Sequence, residues 1–324
     1  MDYLVMRLYA PLSSWGAVAI GEERPTNDYP TRGAILGLLG AALGIERCDQ
    51  KQLQALADSI GMASKTYSRG TILRDYHTIQ TTAVAKGQRF HTRKQELQSA
   101  KLETILSSRD YREDGLWMVA IWLKQDNHEY GFDLPALQQA LTYPKFILYL
   151  GRKSCPLAMP LLPSIVTTTS IKQALDTPIN SLLSNQNNDK PDYRVNELLY
   201  QTVSDYWLPT ETTIVNDKQT DDNQTEDSQT DDSTGSKTTR HRQVSYHWEG
   251  GRDDLFGEAS LSDETTDRIL THRHWDDPID RKQWQFTQRI GHEWTTFEPL
   301  VQPTDSAQYA KSPKPTDITM DKTL

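Results

Sequence analysis

Between Gly33 and Ile45 the chain carries no charged residue, yet a glycine recurs every third or fourth position of PTRGAILGLLGAALGIER, residues 30–47. A glycine inside a helix costs about 1 kcal/mol against alanine. At about 100° per residue, Gly37, Gly40 and Gly44 fall within about 40° on either side of Gly33. Ile35, Leu38, Leu39, Ala42 and Leu43 occupy the opposite arc. Such a helix is apolar on one side and bare on the other, so both sides are expected to be covered, with a second backbone close against the glycines. Thr31 stands where a cap belongs and Gly44 where a helix stops. The helix start also offers unpaired amides, with Arg32 beside them, to a phosphate.

The elements around this helix follow from pattern. In YLVMRLYA, Leu4, Met6 and Leu8 alternate with Tyr3, Val5, Arg7 and Tyr9, the signature of a strand. DQKQLQALADSIG reads as a short helix with Asp49 as its cap, GMASKTYS as a weak strand, GLWMVAIWL as a buried strand, DLPALQQAL as two helical turns and YPKFILYLG as a last strand. The order is βαββαβ, an α+β ferredoxin-like (RRM-like) arrangement shared by many RNA-binding modules, although the aromatic RRM signature is absent. Residues 69–112 interrupt it with nine Lys/Arg against four acids, a polar insertion (about 69–114) that extends from the domain.

The reading divides the chain into a ferredoxin-like domain over 1–155, a small β-rich C-terminal domain over 156–300 and a loose tail over 301–324. RQVSYHWEGG and RKQWQFTQRIG supply strands to the second domain. The repeat KQTDD, NQTED, SQTDD at 218–232 is too polar and acidic to order itself, so about 210–240 is expected to be a disordered loop.

Formal net charge is −9, but residues 1–160 hold 19 Lys+Arg against 16 Asp+Glu and the remainder 16 against 28. The N-terminal half is therefore mildly basic, and an anionic partner is compatible with the acidic total. Two distant cysteines, Cys48 and Cys155, form no CxxC or Cys/His cluster, which argues against a zinc site and for a reducing, cytoplasmic setting. No stretch offers 18 apolar residues, and the N-terminus lacks the apolar run of a signal peptide, so no membrane association is expected.

Four stretches occur in order: RLYAPLSSWG, RPTNDYPTRGAILGLLGAALGIER, LRDYHTIQT and YLGRKSCPLAMPL. Together they resemble the Cas-five family of CRISPR-associated RAMP proteins in its type I-E Cascade form, over about residues 1–165 and more thinly over 240–299. The resemblance implies a ferredoxin-like palm, an inserted thumb and a small C-terminal β domain. It implies a non-catalytic subunit that caps the 5′ handle of the crRNA, touches the complex's backbone subunit through the thumb and sits against its large subunit. Target DNA is then met only indirectly, through the complex, and no cofactor is needed. In a related subtype the family member itself cuts precursor crRNA, so a metal-independent endoribonuclease is the alternative. The acidic repeat departs from the family.

Candidate RNA contacts follow, each with a plainer alternative. Arg24 and Arg32 match basic family positions and fork onto phosphate or stack on a base, or else sit solvated or paired with a carboxylate. Arg74, Tyr76 and His77 lie at the base of the proposed thumb, where a splayed base fits; His77 also invites an acid–base reading. Lys86, Arg89, His91, Arg93 and Lys94 contain no acid among them and suit nucleic acid or complex assembly, or a solvated loop. Tyr149, Gly151, Arg152, Lys153 and Ser154 follow an expected strand end, with Gly151 admitting a close backbone and Ser154 a phosphate donor. Trp15 reads as core rather than a stacking surface, Cys155 as a buried small residue, and His272 with His274 lack a third metal ligand.

Overall fold

The computed structural model describes residues 1–82, 89–98, 102–124, 132–177, 212–214, 240–257, 268–280 and 285–299. The N-terminal half begins with β1 (Asp2–Tyr9) and four two-residue strands, β2 (Leu12–Ser13), β3 (Trp15–Gly16), β4 (Glu23–Arg24) and β5 (Thr26–Asn27). Helices α1 (Arg32–Leu43) and α2 (Gln50–Ser59) lead to β6 (Ile60–Ser68). A long pair, β7 (Thr71–Thr82) and β8 (Leu102–Glu113), encloses α3 (Arg93–Leu97). Then come β9 (Leu116–Leu123), α4 (Leu134–Thr142), β10 (Ser164–Thr167) and α5 (Ile171–Leu175). β11 (Thr212–Ile214), β12 (Arg240–Glu249), β13 (Leu270–Asp280) and β14 (Gln285–Pro299) complete the described elements.

The central sheet runs β10-β1-β9-β6-β12-β14-β13, with β11 on β12, and every pairing in it is antiparallel. The alternation in β1 predicts two distinct faces, and both are buried. Leu4, Met6 and Leu8 join Ile35, Leu36 and Leu39 of α1 and Leu137 of α4 in one cluster. Tyr3 and Val5 join Met118, Trp122 and the α5 residues Ala174 and Leu175 in another. Trp15 is core, edge-on to Trp117 at 5.1 Å. Cys155 is buried and Cys48 exposed. Among the described residues no helix is long and apolar enough to cross a membrane.

Two expectations need correction. Residues 144–151 are not a strand: they form a loop with a single bridge, Tyr149 to Pro156. The amides of Lys145 and Phe146 bond the carbonyls of Ala42 and Ala41, closing the C-terminal end of α1 instead of joining the sheet. The strand beside β1 is β10, some twenty residues further on. Nor is the second half a separate sheet. β12 pairs with β6 from Ser245–Thr66 to Trp248–Ala63, and β10 and α5 belong with the N-terminal elements, so the described C-terminal strands extend one sheet across the expected boundary at 156. The basic insertion is the arm β7–β8, a twelve-rung antiparallel pair whose side chains are mostly exposed. The acidic repeat and the tail lie outside the described residues.

The glycine helix is half as expected. Its apolar arc is buried, but Gly33 and Gly37 face open space: a Cβ at either meets nothing within 4 Å. No second backbone lies against them. Gly40 is buried, and a Cβ there would stand 3.4 Å from Leu53 Cδ2, an ordinary contact. Gly44 ends the helix at φ 77°, with Lys145 filling the space its side chain lacks. Thr31 holds the cap position without a capping side-chain bond. Gly37→Ala should therefore stabilise the isolated chain by about 0.5–1 kcal/mol in a urea titration, since only helix propensity changes. Gly44→Ala should destabilise it by about 1–2 kcal/mol through the left-handed backbone alone.

Candidate nucleic-acid interface

One carboxylate organises the base of the arm. Arg74 on β7 and Asp110 on β8 face each other in register, and the guanidinium forks onto the carboxylate, Nε to Oδ1 at 2.8 Å and Nη2 to Oδ2 at 3.0 Å. The Arg74 hydrogen bond, against the cost of burial, holds Asp110 below the usual carboxylate range. The backbone oxygen of Asp110 accepts from Arg152 Nη1 at 3.2 Å and from the Ser14 hydroxyl at 3.2 Å. Arg152 Nη2 donates to the Arg24 carbonyl at 3.0 Å, and the same guanidinium lies over the Tyr111 ring at 4.7 Å. Gly151 makes this possible. At φ 84° it brings the loop so close to Ser14 that a Cβ would stand 1.7 Å from the Ser14 oxygen.

This platform borders a cleft of about 1060 Å³. Ser14, Gly33 and Arg152 line one part of it, the 17–19 loop another, and Arg273 and His274 of β13 a third. Of the sequence candidates, Arg24, Arg74, Gly151 and Arg152 are brought together here, with Lys153, Ser154 and Tyr149 exposed in the same loop. Arg24 turns its side chain to the carbonyls of Gly21 and Glu23. Tyr76 is exposed, and His77 Nε2 sits 2.5 Å from Asp75 Oδ2 on the same strand. The other cations are elsewhere. Arg89, Arg93 and Lys94 lie at the far end of the arm, where Arg93 pairs with Glu96 at 2.6 Å and donates to the Gln80 carbonyl. Lys86 lies outside the described residues. Asn27, the 17–19 loop and Arg273 line the cleft without having been marked in the sequence. Arg273 stands in THRHW, a stretch whose histidines draw the eye and whose place beside α1 only the sheet order reveals.

Comparison with known proteins now has a geometry to attach to. The family model described as CRISPR-associated protein (Cas_Cas5) matches residues 3–247. The chain belongs to the Cas-five family of CRISPR-associated proteins. It is 35% identical over 183 residues to the CRISPR system Cascade subunit CasD of Escherichia coli (strain K12), covering 54% of this chain and 75% of that protein. A solved chain titled CRISPR RNA-guided surveillance complex superposes with a TM-score of 0.50 at 21% identity, over 92% of this chain and 91% of its own, a likeness of fold.

In this Cas-five chain Arg32 does not face the cleft as its position at the helix start suggests. It is buried at 4% exposure, with Nη1 2.5 Å from Glu249 Oε2 and Nη2 donating to the carbonyls of Ala57 and Ile60. A carboxylate 217 residues away in sequence has captured it. Beside this pair, Tyr29 stacks on His247 at 3.8 Å, and His247 and His272 reach Glu293 at 3.6 and 3.2 Å. The two histidines of THRHW are thus engaged separately, His272 with Glu293 and His274 with the Tyr29 hydroxyl.

Removing one partner of a buried pair leaves its charge uncompensated, so Arg32→Ala should lower stability by about 3 kcal/mol. Arg24→Ala, at an exposed side chain, should change it by less than about 0.5 kcal/mol. Chemical denaturation compares the two. Glu293 is lowered from its ordinary value of 4.5 to about 2, chiefly by its hydrogen bond to His247 and against the cost of burial, with His272 adding to it. A depressed carboxylate contributes stability that is complete above its unfolded value and lost as pH falls through its folded one. Stability should therefore drop between about pH 4.5 and 2, and Glu293→Gln should remove that part of the drop in urea titrations run across the range.

Proposed function

We propose that this chain is the crRNA-binding subunit of a type I-E Cascade complex and that it holds the 5′ handle of the crRNA, without cutting it, in the cleft beside α1. Its 35% identity to CasD, a Cascade subunit by name, supports membership of such a complex. The observation that carries the RNA reading is convergence. Ser14 and Gly16, Asn27 and Gly33, and Gly151 and Arg152 come from three separate family-like stretches, the last more than a hundred residues beyond the others, and all line one cleft. The fourth stretch reaches the same place through Arg74 and Asp110. The run β10-β1-β9-β6, with α1 and α4 against one face, supports reading this part as a ferredoxin-like palm. On this reading β7–β8 is the thumb that meets the backbone subunit, the large subunit lies alongside, and target DNA is engaged by guide pairing.

The geometry of the arm favours a non-catalytic role. General acid–base cleavage needs two groups converging on one phosphodiester. Tyr76 and His77 are neighbours on β7, and successive strand side chains point to opposite faces. The partner of His77, Asp75, occupies its own strand and half-exposed surface.

The test is co-purification with the other subunits, followed by footprinting of the retained crRNA. The 5′ handle should be protected. Lys153→Ala, at an exposed lysine, should weaken RNA retention about three- to tenfold, the worth of one charge-assisted hydrogen bond. Deleting 216–236 should leave assembly intact. Specific cleavage of repeat RNA in EDTA, abolished by His77→Ala, would overturn the non-catalytic reading, and an unprotected handle would overturn the RNA reading.

A further inference from the structure

We infer that the C-terminal strand β13 is part of the RNA site: Arg273 binds a phosphodiester of the single strand held in the cleft, so that both ends of the chain grip the same RNA. This rests on the proposed RNA-binding role of the cleft and adds to it a residue and an element that the family-like stretches do not contain.

The first argument is the charge of the cleft. Acids outnumber cations in this chain, 44 to 35. Yet two arginines and a histidine line the cleft, and among the described residues no aspartate or glutamate does. A depression kept free of carboxylates in an acidic protein selects an anion. Its volume, about 1060 Å³, exceeds the roughly 300–1,000 Å³ of a small-molecule pocket. It suits a stretch of polymer.

The second argument is what each cation already does. Arg152 spends its donors on two backbone carbonyls and stacks on Tyr111. Arg289 of β14 faces Glu249, His272 is drawn to Glu293, and His274 meets Tyr29. Arg273, between those two histidines, is exposed and has no hydrogen-bond or ion-pair partner among the described residues. Its five donors, arranged in a planar fork that matches phosphate oxygens, are open to the cleft.

The third argument is how Arg273 is held there. β13 pairs with β14, β14 with β12 and β12 with β6, while the buried Arg32–Glu249 pair ties the end of β12 to the start of α1. Arg273 is thus carried on a pre-formed frame, and little ordering is needed when RNA arrives.

The experiment measures binding of the full-length chain to the crRNA that co-purifies with its complex, across a salt series. Arg273→Ala should weaken binding about three- to tenfold and reduce the slope of log K against log salt by about 0.7, one phosphate of a single strand. Arg273→Glu should weaken it further, and Arg273→Lys should retain most of it. The urea midpoints of all three should match wild type, because the side chain is exposed and has no partner among the described residues. A Cβ at Gly33 meets no protein atom within 4 Å, so Gly33→Leu obstructs the cleft from a position with open space and tests the RNA reading by itself. Loss of RNA by Gly33→Leu with unchanged affinity and slope for Arg273→Ala and Arg273→Glu would overturn the present inference and leave the proposed function standing. Wild-type affinity in Gly33→Leu as well would remove the RNA from the cleft and overturn both assignments to it. Loss of a partner subunit by Arg273→Glu with RNA affinity unchanged would assign the arginine to an acidic protein surface, which also overturns the inference.

Discussion

Glu249 is the fixed point of this molecule. It is a carboxylate at 5% exposure, and such a charge is costly unless it is paired and hydrogen-bonded. Arg32 meets it from the start of α1 at 2.5 Å, Lys124 from the end of β9 at 3.3 Å and Arg289 from β14 at 3.5 Å. Three elements distant in sequence are thereby drawn to the end of β12. The other face of the sheet carries a second clasp. Lys65 of β6 reaches Asp176 and Glu298 at 2.7 Å each, and the Tyr246 hydroxyl donates to both carboxylates. Burial alone would lower Lys65, but Tyr67, Asp176 and Glu298 keep it charged and above its usual value. Buried ion pairs are poor sources of net stability, and a role in fixing register is their best-attested use. Here that register seats the C-terminal strands on β6.

The limits of the sequence follow from this arrangement. Local pattern suffices where burial is periodic or a cap is chemical: β1, the uniformly buried β9, and α2 and α4, whose caps Asp49 and Asp133 each accept a backbone amide. It fails over 144–151. That stretch is as apolar as a strand, but its amides are claimed by the open carbonyls of α1, a tertiary demand with no local mark. It fails for Arg32 for the same reason, since the fate of an arginine depends on a glutamate brought to it by the fold. The arm was legible as an insertion from its composition, while the Arg74–Asp110 rung that anchors its base depends on register. Arg273 was illegible because β13 lies beside α1 only by virtue of the strand order.

The cations of the site consequently divide by task. Arg32, Arg74 and Arg152 are committed to carboxylates and carbonyls and build the walls. Arg152 does both, since its guanidinium remains half exposed on the Tyr111 ring while its donors hold the loop. Lys153 and Arg273 carry no such duty among the described residues; Arg273 lines the cleft and Lys153 is exposed in the loop beside it. Substitutions in the first group act on structure and on binding together. Those in the second break no contact among the described residues, which is why the second group decides between readings of the site.

The glycines of α1 divide in the same way. Gly44 is required by a left-handed backbone, whereas a Cβ at Gly40 would make only an ordinary contact, 3.4 Å from Leu53 Cδ2. Neither backbone nor neighbour demands a glycine at Gly33, since a Cβ there would meet no protein atom within 4 Å. It would, however, project into the cleft, and so Gly33 keeps the floor of the cleft flat. Gly37, one turn along and exposed, has no explanation in the structure. A helix that carries about 1 kcal/mol per interior glycine thus does so, at Gly33, for open space. The charged residue that seemed to belong to that open space, Arg32, is instead the buried anchor that holds the opposite wall in place.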